Sequence, residues 1–144
     1  MKCQHLLVPI DFSQDSEHAV DSAVGLAQQF QARVTLLHVV YVPEAAEVNL
    51  AAYMDKIRSE ADQSMASRLK RVQDAGIDAE ALTVIGPPSQ RIVDTARDRH
   101  ADLIVMGTHG RTGLQHMLIG SVAERVVRLA PCPVMVVPRE AAKD

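Results

Sequence analysis

The chain has 144 residues, of which 47% are hydrophobic, and 15 basic against 18 acidic residues give a formal net charge of −3. This length fits one domain, predicted to span residues 1–144, and the hydrophobic share excludes a disordered chain. The basic residues form no stripe, which argues against nucleic acid as a partner, and no apolar run approaches the roughly 20 residues of a membrane-spanning helix.

The chain opens with MKCQHLLVPIDFS, a single Lys and a short apolar run that ends at Asp11. This pattern is typical of a strand and not of a signal peptide, so we expect a cytoplasmic protein. Similar apolar runs without strict alternation predict four further strands of a buried parallel sheet. The five predicted strands are 5–10, Arg33–Val40, Ala79–Ile85, 102–106 and 133–137.

Stretches with helical periodicity separate these strands. In the second stretch, apolar residues from Met54 to Val72 recur at spacings of three and four, and Gly76 ends the helix where a left-handed residue is needed. The other helices are predicted at Gln14–Phe30, 89–99 and Ser121–Leu129. Residues 41–50 have the weakest pattern and are predicted to form a loop.

The alternation of strands and helices predicts an α/β fold, with a five-stranded parallel sheet between two layers of helices. Ligands bind such sheets beyond the carboxyl ends of the strands, where the strand order reverses. The first strand ends at Asp11, and the fourth runs into Gly107 and a glycine-containing segment. A site built from both ends requires these strands to be neighbours, which predicts the order 3-2-1-4-5.

The segment GTHGRTGLQHMLIGS, residues 107–121, holds four of the seven glycines. Glycines let a ligand approach backbone N–H groups, and a helix that begins at Ser121 favours an anion at its N-terminus. Arg111, His109 and His116 could add charge, so the loop is a candidate phosphate site. It is neither a P-loop nor a G-x-G-x-x-G motif.

Alternatives without a ligand exist for these residues. Ser121 and Glu124 have the spacing of a capping box, and Gly107 and Gly110 could simply form a turn. Asp11 could cap the first helix, although Ser13 competes for that position.

The pattern Gly107-x2-Gly110-x9-Gly120-Ser121 resembles the ATP-binding motif of the universal stress protein (UspA-like) family. The resemblance covers essentially the whole chain. It includes LLVPIDFS, the end of the second strand at Leu37-His38-Val39, Gly86 with Pro88, and the closing GSVAERVVRLAPCPVMVVP. It implies an adenine nucleotide alpha-hydrolase-like fold and a bound adenine nucleotide.

The resemblance also implies a role for each matched residue. Asp11 meets the nucleoside, Pro9 and Val39 line the adenine, and Met106 with Gly107 forms the floor under adenine and ribose. The implied phosphate contacts are Gly110, Gly120, Ser121 and Val122, with Arg111 and Gly113 in the same loop. Family members that bind ATP often carry basic residues where this chain has Gln115-His116. ATP is therefore expected, with AMP or ADP able to compete, and Mg²⁺ only together with the nucleotide.

The resemblance favours a non-enzymatic stress-response module over a slow ATPase or an autokinase that phosphorylates Ser121, or a dimer that does not bind nucleotide. No Ser-His-Asp or Cys-His set is expected to converge on His109, and no dedicated metal site is predicted. His38 is predicted to be a satisfied, partly buried histidine. Cys3 and Cys132 are expected to be reduced structural thiols.

The last predicted strand, from Pro133 to Val137, is apolar and should lie at an edge of the sheet. An exposed apolar edge is a liability unless it is paired or covered. The resemblance implies antiparallel pairing with the same strand of a second copy, giving a two-fold homodimer. An unidentified protein partner is also compatible with such a module.

Overall fold

The structure is a computed structural model that describes residues 2–42, 50–109 and 119–138. Strands and helices alternate along the chain. The strands are β1 (His5–Pro9), β2 (Arg33–Val40), β3 (Ala79–Ile85), β4 (Leu103–Gly107) and β5 (Val134–Val137), and the helices are α1 (Gln14–Phe30), α2 (Leu50–Asp74), α3 (Pro88–Asp98) and α4 (Ser121–Leu129).

All five strands are parallel and lie in the order β3-β2-β1-β4-β5, which confirms the predicted order and fold class. Successive strand residues point to opposite faces of the sheet. Leu6 and Val8 face α1 and α2, whereas Leu7 faces α3 and α4, and all three are fully buried. The chain therefore builds two apolar cores, one on each face, and a three-layer α/β/α arrangement.

Several predicted boundaries were wrong by one residue. β1 ends at Pro9, β4 at Gly107 and α3 at Asp98, and β5 begins at Val134. Three other differences have identifiable reasons. Asp102 was assigned to the fourth strand, but its carboxylate accepts hydrogen bonds from the backbone N–H groups of Gln4 and His5, at 3.0 Å each, and β4 begins one residue later. The third helix begins at Pro88, because a proline has no N–H to lose at the first helical position. Leu50, predicted as loop, begins α2, and residues 43–49 of that predicted loop lie outside the described residues.

Gly76 and the two cysteines have the conformation and the state that the sequence predicts. Gly76 has a φ of +82°, as expected for a residue that ends a helix in the left-handed conformation. Cys3 and Cys132 are free thiols, and burial raises the pKa of each above its usual range. Within residues 2–42, 50–109 and 119–138, no helix has the length and apolar character needed to cross a membrane.

Candidate functional site

The strand order reverses between β1 and β4. From β1 the chain builds outward to β2 and β3, then crosses back to place β4 on the other side of β1, with Leu6 beside Leu103. The carboxyl ends of β1 and β4 consequently open into one crevice. The structure thus brings together the two strand ends on which the predicted site depends.

Asp11 lies just beyond β1 in a tight turn. Its Oδ1 atom accepts a hydrogen bond of 2.9 Å from the backbone N–H of Ser13. Ser13 is the residue that caps α1, with its hydroxyl accepting from the backbone N–H of Ser16 at 3.2 Å. The alternative in which Asp11 caps the helix is therefore wrong. Asp11 is half-buried just beyond the carboxyl end of β1, with one carboxylate oxygen committed to the turn.

Sequence reasoning missed the conformation of Phe12. This residue has a φ of +66°, a conformation that is strained for an aromatic residue and that clusters at functional sites. The centre of its ring lies 4.4 Å from the centre of the His38 ring. The guanidinium carbon of Arg68 lies 4.7 Å from the same ring centre. His38 donates from Nδ1 to the carbonyl of Ile10 at 2.7 Å, which confirms the prediction of a satisfied, partly buried histidine.

The apolar residues of the predicted site share one face of the sheet. Met106 is buried in the core that α3 and α4 cover, and Val39 and Val122 pack against the same core. Pro9 is half-buried at the end of β1, opposite Leu37 of β2. An apolar floor beside Asp11 is the kind of surface on which a purine ring can lie.

Gly107 has a packing role that the sequence did not reveal. A Cβ atom at this position would lie 2.8 Å from the backbone carbonyl carbon and oxygen of Asp15 and from its Cβ. The first turn of α1 therefore touches the end of β4 directly, and only glycine permits that approach. Close packing on Asp15 is therefore sufficient to explain a glycine at this position, and the alternative of a turn is not needed.

Asp15, Thr108 and His109 form a ring of hydrogen bonds, which we call the loop-base ring. Oδ2 of Asp15 accepts from the Thr108 hydroxyl at 3.1 Å and from the His109 backbone N–H at 3.0 Å. A carboxylate only accepts, so the Thr108 hydroxyl donates to Asp15 and accepts from Nδ1 of His109, which lies 3.0 Å away.

The loop-base ring brings a threonine hydroxyl and a carboxylate to His109, a set that the sequence did not reveal. The arrangement differs from a nucleophilic triad, because the Thr108 hydroxyl donates its hydrogen bond to the carboxylate and not to the imidazole. Thr108 is also 9% exposed, which keeps its oxygen from attacking a substrate. No sequence motif signals the ring, since Asp15 and Thr108 are 93 positions apart.

Helix α4 begins without a side-chain cap. Gly120 occupies the N-cap position with an extended backbone, and having no side chain it cannot cap the first turn itself. The predicted capping box is wrong, because Ser121 is the first helical residue, and Glu124 pairs instead with Arg128 at 3.1 Å. The N-cap residue therefore leaves the N–H groups of this first turn without a side-chain acceptor of its own, and the helix dipole favours an anion at this end.

The remaining predicted contacts lie beyond what the structure describes. Gly110, Arg111 and Gly113 fall within residues 110–118, outside the described residues, as do Gln115 and His116. In the described ranges, 2–42, 50–109 and 119–138, no group of three His, Cys, Asp or Glu side chains could hold a metal ion.

Comparison with known proteins places these features in a family. The family model described as "Universal stress protein family" matches residues 2–138. The chain is 36% identical to the universal stress protein MJ0531 of Methanocaldococcus jannaschii over 93% of its own length and 81% of that protein. It is 33% identical to the universal stress protein YxiE of Bacillus subtilis, over 92% of its own length and 97% of that protein.

Solved structures agree with this assignment. The structure of MJ0577, a Methanocaldococcus jannaschii protein, superposes with a TM-score of 0.91 at 33% identity and covers 99% of this chain and 100% of that one. A universal stress protein solved in complex with cAMP has the same fold, with a TM-score of 0.68 at 24% identity over 96% of this chain and 98% of that one.

Proposed function

The chain belongs to the universal stress protein family, and we propose that it is a non-enzymatic module that binds an adenine nucleotide at the carboxyl ends of β1 and β4. ATP is the proposed ligand, and ADP and AMP compete for the same site. Asp11 meets the nucleoside, Val39 and Met106 lie against the adenine, and the first turn of α4 receives the phosphates.

One observation carries this proposal: a carboxylate and an uncapped helix N-terminus flank the crevice at the reversal of strand order. Asp11 follows β1 with a half-buried carboxylate, and Gly120 begins α4 without a side-chain cap. A carboxylate accepts hydrogen bonds from a ribose hydroxyl or an exocyclic amine, whereas free backbone N–H groups bind phosphate. A nucleotide has both kinds of group.

The fold provides a second, more general support. The universal stress protein that was solved with cAMP shares this sheet and helix arrangement. Because ligands of such sheets bind where the strand order reverses, an adenine nucleotide in this fold points to the same crevice. The residues of that crevice in this chain decide affinity and specificity.

The phosphate end determines which nucleotide binds best. Arg111 is the permanent cation in the loop sequence, and Gln115-His116 stand where basic residues are common in the ATP-binding branch of the family. We propose for this reason that a triphosphate binds with little more affinity than a monophosphate. Mg²⁺ enters only with the nucleotide, held by phosphate oxygens and water.

Calorimetric titration of ATP, ADP and AMP into the wild type and into Asp11→Asn tests the proposal. Asparagine keeps an oxygen for the Ser13 N–H, so the turn persists while the charge is lost. A hydrogen bond to a charged group contributes about 1.5–3 kcal/mol, so the variant should bind roughly ten-fold or more weakly.

Asp98→Asn, at the exposed end of α3, is the matched control and should bind as the wild type does. Absence of heat with all three nucleotides would overturn the proposed function. Equal affinity of the wild type and Asp11→Asn would overturn the role of Asp11.

Autophosphorylation is the second candidate, because the Ser121 side chain is exposed at the proposed phosphate end. Phosphoryl transfer usually needs a positioned base and a metal clamp, which makes simple binding the better proposal. Incubation with γ-labelled ATP distinguishes them. Label on the wild type that disappears in Ser121→Ala would favour the autokinase.

We also propose that the module is a homodimer through β5. This strand lies at the edge of the sheet, where β4 is its neighbour, and half of its backbone hydrogen-bonding groups face away from the sheet. Met135, Val127 and Leu129 are large apolar residues on β5 and α4 and remain exposed. A second copy pairing antiparallel along residues 133–137 would satisfy the edge and cover apolar surface.

A further inference from the structure

We propose that Asp15 is a positioning residue of the nucleotide site, which sets the positions of Thr108 and His109 after β4 and of Gly120 at the start of α4. The inference rests on the proposed function, since it concerns the geometry of the same crevice. Asp15 itself lies in the first turn of α1 and is not proposed to touch the nucleotide.

The Asp15 carboxylate is buried and therefore needs the hydrogen bonds of the loop-base ring. The Asp15 side chain is fully buried, and its Oδ2 atom receives both the Thr108 hydroxyl and the His109 N–H. A buried carboxylate is costly unless hydrogen bonds compensate for the water it has lost. The residues that follow β4 are thus held against α1 by a group that cannot release them without penalty.

Two further contacts extend this anchor from α1 to α4. The backbone of Gly107 packs directly on that of Asp15, as its missing Cβ requires. The Thr108 carbonyl accepts a hydrogen bond of 2.5 Å from the N–H of Gly120, the residue that caps α4. Asp15 therefore fixes Thr108, and Thr108 fixes the start of the helix whose first turn receives the phosphates.

A similar cluster at the other end of the sheet provides a control that distinguishes an effect on the nucleotide site from a general effect on stability. The hydroxyl of Thr35, which is 1% exposed, lies 2.7 Å from Nε2 of His5 and 3.1 Å from Oε1 of Glu80. This threonine also joins a histidine to a carboxylate, but at the amino ends of the strands. Its removal should disturb the fold about as much as removal of the Thr108 hydroxyl, without moving the phosphate end.

The test compares Thr108→Val with Thr35→Val, by ATP and AMP calorimetry and by amide hydrogen exchange at His109 and Gly120. Loss of one net hydrogen bond corresponds to roughly a five- to ten-fold change in an equilibrium constant. We expect Thr108→Val to bind about that much more weakly and to exchange faster at Gly120. Thr35→Val should lower the denaturation midpoint similarly and bind as the wild type does.

Two more variants keep the test decisive if Thr108→Val does not fold. Thr108→Ser restores the hydroxyl and should bind within about two-fold of the wild type. Asp15→Asn keeps an accepting oxygen but loses the charge, which weakens both hydrogen bonds to that oxygen, so it should bind more weakly. Wild-type affinity in Thr108→Val or Asp15→Asn would overturn the positioning role and leave the proposed function standing. A wild type that binds no adenine nucleotide would overturn both.

Discussion

The amino and carboxyl ends of the sheet each hold a buried threonine between a histidine and a carboxylate, yet the two clusters lead to different surroundings. At the amino end, His5 and Thr35 belong to β1 and β2, and Glu80 of β3 receives both Thr35 at 3.1 Å and Arg99 at 2.6 Å. At the carboxyl end, the loop-base ring leads into Gly120 and an uncapped helix.

The two clusters differ in what they adjoin, since the carboxyl-end cluster leads to the proposed nucleotide site and the amino-end cluster does not. The amino-end cluster closes on itself, because His5 Nδ1 donates to the carbonyl of Arg99, the same residue whose side chain reaches Glu80. The carboxyl-end cluster continues instead through Thr108, whose carbonyl accepts from the N–H of Gly120 at the start of α4. Parallel sheets place binding at this end because the helix N-termini lie there.

Adding a methyl group at Gly107 should have the largest effect. Gly107→Ala places a Cβ 2.8 Å from the Asp15 backbone, and overpacking of this kind costs typically about 1–3 kcal/mol. The free energy of unfolding, measured by urea denaturation, should fall by that amount, and nucleotide affinity should fall with it.

Gly25→Ala is the control, because a Cβ there meets no atom within 4 Å in the interior of α1. It should stabilise the protein by roughly 0.5–1 kcal/mol, since alanine favours a helix over glycine. If Gly107→Ala proved as stable as the wild type, the close contact between α1 and β4 would be wrong.

The proposed dimer uses an edge of the sheet and the proposed nucleotide site uses one end of it, so a substitution can weaken one without the other. Met135→Lys places a charge in the proposed β5 interface and should raise the dimer dissociation constant about ten-fold or more, by leaving a charge to be buried. Sedimentation velocity over a concentration series measures this change. Phe30→Lys, at the exposed end of α1, should leave the dimer intact, and a wild type that sediments as a monomer at all concentrations would contradict the dimer.

The amino-end cluster predicts a pH dependence of stability. Burial, and after it the charge of Arg33, lowers the pKa of His5 below 6.5, against the opposing effects of the Arg99 carbonyl, Glu80 and Asp102. Between the folded-state pKa and 6.5 the unfolded chain binds more protons, so the free energy of unfolding rises with pH. This contribution is complete above pH 6.5 and is lost as the pH falls through the folded-state value.

Urea denaturation between pH 5 and 8 should therefore show a slope that His5→Gln reduces by at most about 1.4 kcal/mol per pH unit, the limit for one proton. His100→Asn removes an exposed imidazole and is the control, since asparagine tolerates the left-handed φ of 53° at that position. An unchanged slope in His5→Gln would show that His5 does not couple to folding.

The smallest effect concerns the start of α4. Gly120 has a φ of −71° and a ψ of 160°, which any residue can adopt, so Gly120→Ser introduces a capping hydroxyl without backbone strain. Stability should rise by about a few tenths of a kcal/mol, because serine caps slightly better than glycine. Nucleotide affinity should fall several-fold, because the hydroxyl competes for the same N–H groups, and tighter binding would contradict a phosphate at this helix end.

The fold was largely predictable because its signals are local. Apolar runs and helical stripes identify the strands and helices, and Asp11 and Gly107 at two strand ends dictate the order of the sheet. What the sequence could not reveal depends on contacts between distant residues. No local pattern signals the Asp15–Thr108 hydrogen bond or the close packing of Gly107 on Asp15. Ser121 has the spacing of a capping residue, but it is the first residue inside the helix.

Amide NMR during titration with ATP tests the central claim most directly, since it reports both ends of the sheet at once. We expect the largest shifts at the carboxyl end, at Asp11, Val39, Gly107 and Gly120, and none beyond the noise at Gln4, Thr35 and Asp102. Shifts centred on the amino end, or no shifts at millimolar ATP, would contradict the assignment of an adenine nucleotide to the crevice between β1 and β4.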